Sequence, residues 1–412
     1  MRLAVVSPFL DRAHGTERVV AEQAERLARD FACEIHLYAH QVRDVNVSSL
    51  AECREAPSGR ILWHRVPALP GPHLLRFCWW YFANRICRWR DRRFRGVACD
   101  LVFSPGINAA DADAVAVHVV FHDVVRRLKA ASGRTALSPR DWPRRLHRRL
   151  YYGLLMRLEK RIYKDPRVRL SAVSALVAAQ LAAYFQRSDV AVIHSGVDTK
   201  RFSPQARGRI RPAARAEFGL GGADFGVLFI GNDWNLKGLP ALLRALGSCS
   251  GASTKLLVVG EDQSAAIEPL VQELGLAGRV TFLAPSADVL PFYAAADVYA
   301  GPSLGEAFGL PVLEAMACGI PVIASGRSGV SEVLRDGVDG FVLPDPEDHA
   351  ALAARLAQLS GDAGLCRRIG EAAAQTASKY TWERNAEEMW KFLRAAAAQR
   401  REAVAGAVPS VN

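Results

Sequence analysis

Short apolar, β-branched runs alternate with longer stretches of helical period along this chain, which is the pattern of an α/β protein with parallel sheets. In the first half, strands are expected at residues 3–7, 34–38, 61–65, 101–104, 114–118, 170–173 and 190–193. Between the first two, Val19, Val20, Gln23 and Leu27 set a helical stripe over 16–29. The second half restarts with a strand at 226–230 and continues through 256–259, 280–283, 298–300, 322–324 and 340–343. Two successive sets of this kind predict two doubly wound domains facing each other across a cleft, residues 1–187 and 188–377, with a C-terminal helix over 378–400 completing the first. The polar, proline-bearing stretch 202–212 predicts a linker between them. Open parallel sheets bind ligands beyond the carboxyl ends of their strands, so the loops at those ends are the first place to look for chemistry.

One such loop stands out, Gly305-Glu306-Ala307-Phe308-Gly309-Leu310-Pro311, followed by an apolar helical run through Glu314 and Ala317. A helix is predicted to start near Leu310, because Pro311 suits a first turn where its missing N–H is no loss. The N–H groups of Phe308, Gly309 and Leu310 then sit at the positive end of a helix dipole, a ready site for a diphosphate. Gly309 lets a ligand approach the backbone. Glu306 before the helix and Glu314 inside it flank that site, and ionised carboxylates are acceptor-only groups suited to a polyol: Glu306 toward sugar hydroxyls, Glu314 toward a ribose. Taken alone, the segment also fits a surface loop with two solvated glutamates.

Composition narrows the classes. At 412 residues the chain can hold two cores, since single cores rarely grow past about 250 residues. Its eight cysteines show no CxxC spacing and no zinc-type histidine cluster, so inert reduced thiols are expected. No apolar run reaches the roughly 18 to 20 residues of a membrane span, and Arg2-Leu3-Ala4-Val5-Val6 opens a strand rather than a leader, so a cytoplasmic location is expected. The net charge of +11 is concentrated in the first half. Seven arginines lie between Arg76 and Arg95 among Phe77, Trp79, Trp80, Tyr81, Phe82, Trp89 and Phe94, and a second basic stretch runs from Arg126 to Arg169. Rings at headgroup depth with cations on lipid phosphates suit a peripheral contact with an anionic membrane, whereas solvated amphipathic helices fit equally well. Nucleic acid would feel the same charges but is not expected as a partner.

The loop-to-helix segment and its surroundings resemble the E-x7-E signature of the retaining GT-B glycosyltransferases of family 4. The likeness extends to Phe292-Tyr293-Ala294-Ala295-Ala296-Asp297-Val298, to Ala324-Ser325-Gly326-Arg327-Ser328-Gly329-Val330-Ser331-Glu332-Val333 and to Asp336-Gly337-Val338-Asp339-Gly340-Phe341-Val342. It also includes Ile193-His194-Ser195-Gly196-Val197-Asp198 followed by Phe202-Ser203-Pro204. It covers most of the second half and, more weakly, the first, and looks nearest to the branch of the lipopolysaccharide-core glucosyltransferases. The resemblance implies two Rossmann-like domains, with Lys237 neutralising donor phosphate from the loop 231–238. Asn232 stands where the family has an arginine, and His14 stands where it has the first of two glycines before Gly15, Thr16 and Glu17, the acceptor-side loop. The resemblance places His118 beside the donor sugar as a hydrogen-bonding group and the nucleotide base on backbone near 283–289.

The expected activity is therefore transfer of a hexose from a nucleotide diphosphate sugar, with retention, to a glycan or lipid-linked acceptor of cell-envelope polysaccharide synthesis. His118, Lys237 and Glu306 carry the chemistry in this reading; Asn232, Phe308, Gly309, Leu310 and Glu314 complete the donor site. No metal and no cofactor are expected beyond the nucleotide sugar as co-substrate, since no Asp-x-Asp pair occupies a donor position; Asp111 and Asp113 lie before the fifth strand of the first domain. The alternative is a catalytically silent nucleotide-sugar or glycan-binding protein of the same fold.

Overall fold

A computed structural model describes residues 1–48, 59–132, 142–249 and 253–406. The chain folds as two compact units, one comprising Met1–His194 with the chain from Glu383 onward, the other Ser195–Trp382.

In the first unit, β1 (Arg2–Val6), β2 (Glu34–Ala39), β3 (Ile61–Arg65), β4 (Leu101–Pro105), β5 (Ala114–Val117), β6 (Arg169–Ala172) and β7 (Ala191–Val192) form one parallel sheet. Its order is β3-β2-β1-β4-β5-β6-β7. The register sets Val5 beside Leu37 and Phe103, so the central strands are apolar on both faces, as a sheet covered on both sides requires. Helices α1 (Gly15–Phe31), α2 (His73–Arg95), α3 (Phe121–Ser132) and α4 (Trp142–Tyr163) surround it. Helix α1 buries Val19, Val20, Ala24 and Leu27 and ends where Ala32 turns left-handed, so that the Cys33 N–H donates to the Leu27 carbonyl.

In the second unit, α5 (Pro204–Glu217) precedes β8 (Phe225–Ile230), α6 (Trp234–Lys237), β9 (Thr254–Val259), β10 (Val280–Leu283), β11 (Val298–Gly301), α7 (Leu310–Ala317), β12 (Val322–Ser325) and β13 (Phe341–Leu343). The sheet order β10-β9-β8-β11-β12-β13 is again parallel throughout. Val227, Phe229, Leu256, Val258 and Val298 pack with Leu242, Leu246, Leu356 and Ile369 in its core. The last helix, α8 (Trp382–Gly406), returns to the first unit, where Met389, Phe392 and Leu393 join the core of Leu3, Val5, Ile35 and Leu37.

The expected linker at 202–212 is a correction. Phe202 is buried, Ser203 caps α5 by accepting from the Ala206 N–H, and Pro204 occupies the first turn. The polar residues that suggest a linker are a ladder. Arg207, Arg211 and Arg215, four apart on one face, donate to the carbonyls of Ala294, Ala295 and Ala296, and Arg211 and Arg215 also pair with Asp297. They satisfy the open end of the helix Leu290–Ala295.

Among the described residues every cysteine is a free thiol; Cys53 lies outside them, as does part of the second basic stretch. Burial pushes Cys33 and Cys318 up to about 12, which keeps them protonated. No described helix is long and apolar enough to cross a membrane.

Candidate functional site

In the second sheet the strand order reverses between β8 and β11, and the loops leaving these two strands diverge at that point. Doubly wound sheets bind ligands at such switch points. The β8 loop ends in Lys237 and the β11 loop carries Glu306, and the two side chains form an ion pair. Glu306 also accepts from Ser303 Oγ at 3.2 Å. Both charged groups are mostly shielded, with 24% and 18% of their side chains exposed.

The turn that presents Lys237 is built from three contacts. Asp233, at φ 56°, accepts from the Leu236 N–H at 3.2 Å and so caps the single turn of α6. Asp262, just past β9, accepts from the N–H groups of Asp233 at 3.0 Å and Trp234 at 2.7 Å. Gly238 ends the turn at φ 83°, and a Cβ there would sit 1.9 Å from the Pro302 carbonyl oxygen. Only glycine permits this approach, and the Leu304 N–H donating to the Leu236 carbonyl at 2.8 Å joins the two loops beside it.

Glu306 lies on an extended segment pinned to the loop after β12. Its N–H donates to Arg327 and its carbonyl accepts from Gly329, each at 3.1 Å; the Phe308 carbonyl accepts from Val330 N and Ser328 Oγ, each at 2.7 Å. Gly309, at φ 114°, swings the chain from this segment into α7, and a Cβ there would meet Ser328 Oγ at 3.0 Å and Val330 at 3.1 Å. Helix α7 then starts at Leu310 with Pro311 in its first turn. The N–H groups of Gly309 and Leu310 meet no protein acceptor among the described residues, while Gly309 O accepts from Val312 and Leu313. Such an end can hold an anion.

Glu314 stands one turn further and differs from a solvated glutamate: it is 3% exposed and accepts from the Tyr293 hydroxyl at 2.8 Å. Burial and that neighbouring carboxylate push the Tyr293 phenol well above its ordinary range, so it stays a donor. Asn232 is turned toward the next loop, its Oδ1 accepting from the Glu261 N–H at 2.9 Å. The position at which the family carries an arginine therefore serves here as a stitch between the loops after β8 and β9.

The remaining expected residues belong to the first unit. Gly15 and Thr16 open α1, and burial holds the Glu17 carboxyl above its ordinary range. His14 is tied down by Asp11, which accepts from the N–H groups of Ala13 and His14 and meets His14 Nδ1, all at 3.0 Å. His118 follows β5; it is 7% exposed, its Nε2 has no hydrogen-bond partner among the described residues, and burial pushes it down to about 4. At neutral pH it is an uncharged imidazole with an unused polar atom. Its neighbour His122 is spoken for, since the buried Glu159 carboxylate meets His122 Nδ1 at 2.7 Å and accepts from the N–H groups of Phe121 and His122 at the start of α3.

The structure thus brings Lys237, Glu306, Gly309 and Leu310 to one switch point. Sequence reasoning missed Asp262, Ser303, Gly238 and Tyr293, which position them. A carboxylate directly after a strand end, as in Gly260-Glu261-Asp262, is the one signal that marks Asp262 in advance.

Residues 13–201 match the model described as Glycosyltransferase Family 4, and residues 210–376 match Glycosyl transferases group 1. The D-inositol 3-phosphate glycosyltransferase of Salinispora arenicola is 37% identical over 211 residues, 47% of this chain and 47% of that protein. The protein of that name from Segniliparus rotundus is 33% identical over 276 residues, 65% of this chain and 59% of its own. The chain spans about half the length of the curated relatives it matches. Among solved structures, the lipopolysaccharide-biosynthesis glycosyltransferase WaaG superposes with a TM-score of 0.74 at 18% identity, over 94% of this chain and 98% of that one. Anabaena HepE, solved with UDP and glucose, superposes at 0.68 and 19% identity over 95% and 99%. The fold is GT-B, and the chain belongs to the family 4, group 1 glycosyltransferases.

Proposed function

We propose that this protein transfers a hexose from a nucleotide diphosphate sugar to a glycan or lipid-linked acceptor, with retention of anomeric configuration and without a metal. The observation that carries the reading is the Lys237–Glu306 pair at the switch point, beside the open N-terminus of α7. Without donor, each charge neutralises the other. A bound diphosphate exchanges partners: Lys237 and the Gly309 and Leu310 N–H groups take the phosphates, and Glu306 is released to accept from sugar hydroxyls. As the bond from the anomeric carbon to the diphosphate oxygen breaks, the charge left on that oxygen meets donors already in place.

Glu314, held by Tyr293, is proposed to accept from the ribose, and Phe308 to shape the phosphate loop. In the first unit, His118 is proposed to hydrogen-bond a sugar hydroxyl as the neutral imidazole, and Gly15, Thr16 and Glu17 to serve the acceptor. The UDP-glucose complex of HepE, a protein of this fold, supports trying uridine nucleotides first.

A thermal-shift series with UDP-, GDP- and ADP-sugars tests donor binding, since a ligand selective for the folded state raises the melting point. Glu306→Ala and Lys237→Ala are each expected to cut turnover by about 10²-fold or more while leaving the fold intact. Full activity in both variants would overturn the assignment. Donor binding with no product across a broad acceptor screen would favour a binding protein instead.

A further inference from the structure

The surface of α2 and α4 has a composition that neither the donor site nor the family match explains. Along α2, Leu75, Trp79, Phe82, Ile86 and Trp89 recur at alternating spacings of four and three residues, forming a narrow stripe down one side. A stripe of this kind normally faces a core, yet these five side chains are all exposed, Phe82 at 65% and Ile86 and Trp89 at 60%. The core side of the helix is a different set, Trp80, Ala83, Asn84, Cys87 and Asp91. Neighbouring α4 contacts α2 through Phe77 and Tyr151, whose rings meet edge-on at 6.2 Å, and exposes Trp142, Leu146 and Leu150, again four apart.

Charge decides what can cover these faces. The only acid in α2 is Asp91 and the only acid in α4 is Glu159, and both are fully buried. Arg76, Arg85, Arg92 and Arg93 are exposed on α2 with no carboxylate partner among the described residues, and Arg145, Arg148 and Arg149 are exposed on α4. Among the described residues of α2 and α4, the exposed charges are thus all cations, and Asp111 from a neighbouring loop is paired with Arg88. A second copy of this face would oppose like charges, which disfavours self-pairing through it. An anionic bilayer accepts both features: apolar and indole side chains enter the headgroup boundary while guanidinium groups meet lipid phosphates.

We infer that α2, together with α4, docks this protein onto the surface of a membrane rich in acidic phospholipid. The docking rests on this surface; only its use, bringing the enzyme to a lipid-linked acceptor, rests on the proposed transfer reaction.

Flotation of the full chain with phosphatidylcholine vesicles, with and without about 30 mole percent phosphatidylglycerol, tests it. Binding is expected only with the anionic lipid and is expected to fall steeply between low and high salt. Each exposed arginine contributes a factor of about five, so Arg85→Gln, Arg92→Gln and Arg93→Gln together should weaken binding roughly a hundredfold. Phe82→Ser with Trp89→Ser should weaken binding to anionic vesicles at every salt concentration. Both variants should keep the donor-induced thermal shift, because the substitutions lie on exposed positions outside the donor unit. No flotation with anionic vesicles would overturn the inference whether or not donor binds. So would equal binding to neutral vesicles, tighter binding to a duplex oligonucleotide than to the vesicles, or a wild-type dimer that Phe82→Ser with Trp89→Ser renders monomeric.

Discussion

His118 offers a test of the first unit that needs no substrate. Burial alone lowers its value from 6.5 to about 4, and among the described residues no carboxylate offsets the loss of hydration. Below pH 6.5 the unfolded chain takes up a proton at this residue that the folded chain refuses until about pH 4. The stability tied to a neutral His118 is therefore complete above pH 6.5 and is lost progressively as the pH falls toward 4. The gap between the two values corresponds to about 3 kcal/mol, of which roughly half is lost between pH 7 and pH 5. Amide exchange in β5 and β6, corrected for intrinsic rates, reads the opening free energy of this unit directly. Wild type should lose on the order of 1 to 2 kcal/mol more than His118→Gln over that interval, because glutamine keeps a polar side chain without a titrating group. An equal loss in both proteins, or an imidazole resonance of His118 titrating near 6.5, would refute the reasoning.

Three further outcomes follow from the geometry. Asp262→Ala should lower kcat about tenfold with a small change in KM, while Asp262→Asn, which keeps an acceptor for one N–H, should recover much of it; steady-state kinetics with a shared donor separates positioning of Lys237 from loss of fold. Gly238→Ala should cost at least about 2 kcal/mol in urea unfolding, because the new Cβ meets the Pro302 carbonyl and the residue keeps a positive φ. Glu159→Ala should cost about 2 kcal/mol by the same measurement, since it strips two part-buried N–H donors at the start of α3 of their acceptor and removes the partner of His122 Nδ1; His122→Ala should cost clearly less.

Much of the architecture was readable in advance, for identifiable reasons. Ile61–Arg65 and Val280–Leu283 were found at their expected bounds because glycine or arginine precedes each apolar run. Helix α7 begins at the expected Leu310, since proline and glycine leave few other starts. The misreading at 202–212 arises because a polar face can be solvated or can satisfy carbonyls distant in sequence, and composition cannot distinguish the two. The same limit hid Asp262, whose partners lie 28 and 29 residues away, and the burial of Glu314 behind Tyr293. Local pattern registers the residue that carries charge, whereas long-range hydrogen bonds decide which way it faces.

The return of α8 to the first unit has a consequence for synthesis. Met389, Phe392 and Leu393 complete a hydrophobic core whose earlier members, from Leu3 to Ile193, emerge from the ribosome roughly two hundred to four hundred residues before them. That half of the protein must wait, with an uncovered apolar side, until nearly the whole second half has been translated. Chaperone engagement should concentrate on nascent chains that contain β1 to β7 but lack α8, and expression of the amino-terminal half by itself should yield aggregates unless the final helix is spliced back onto it.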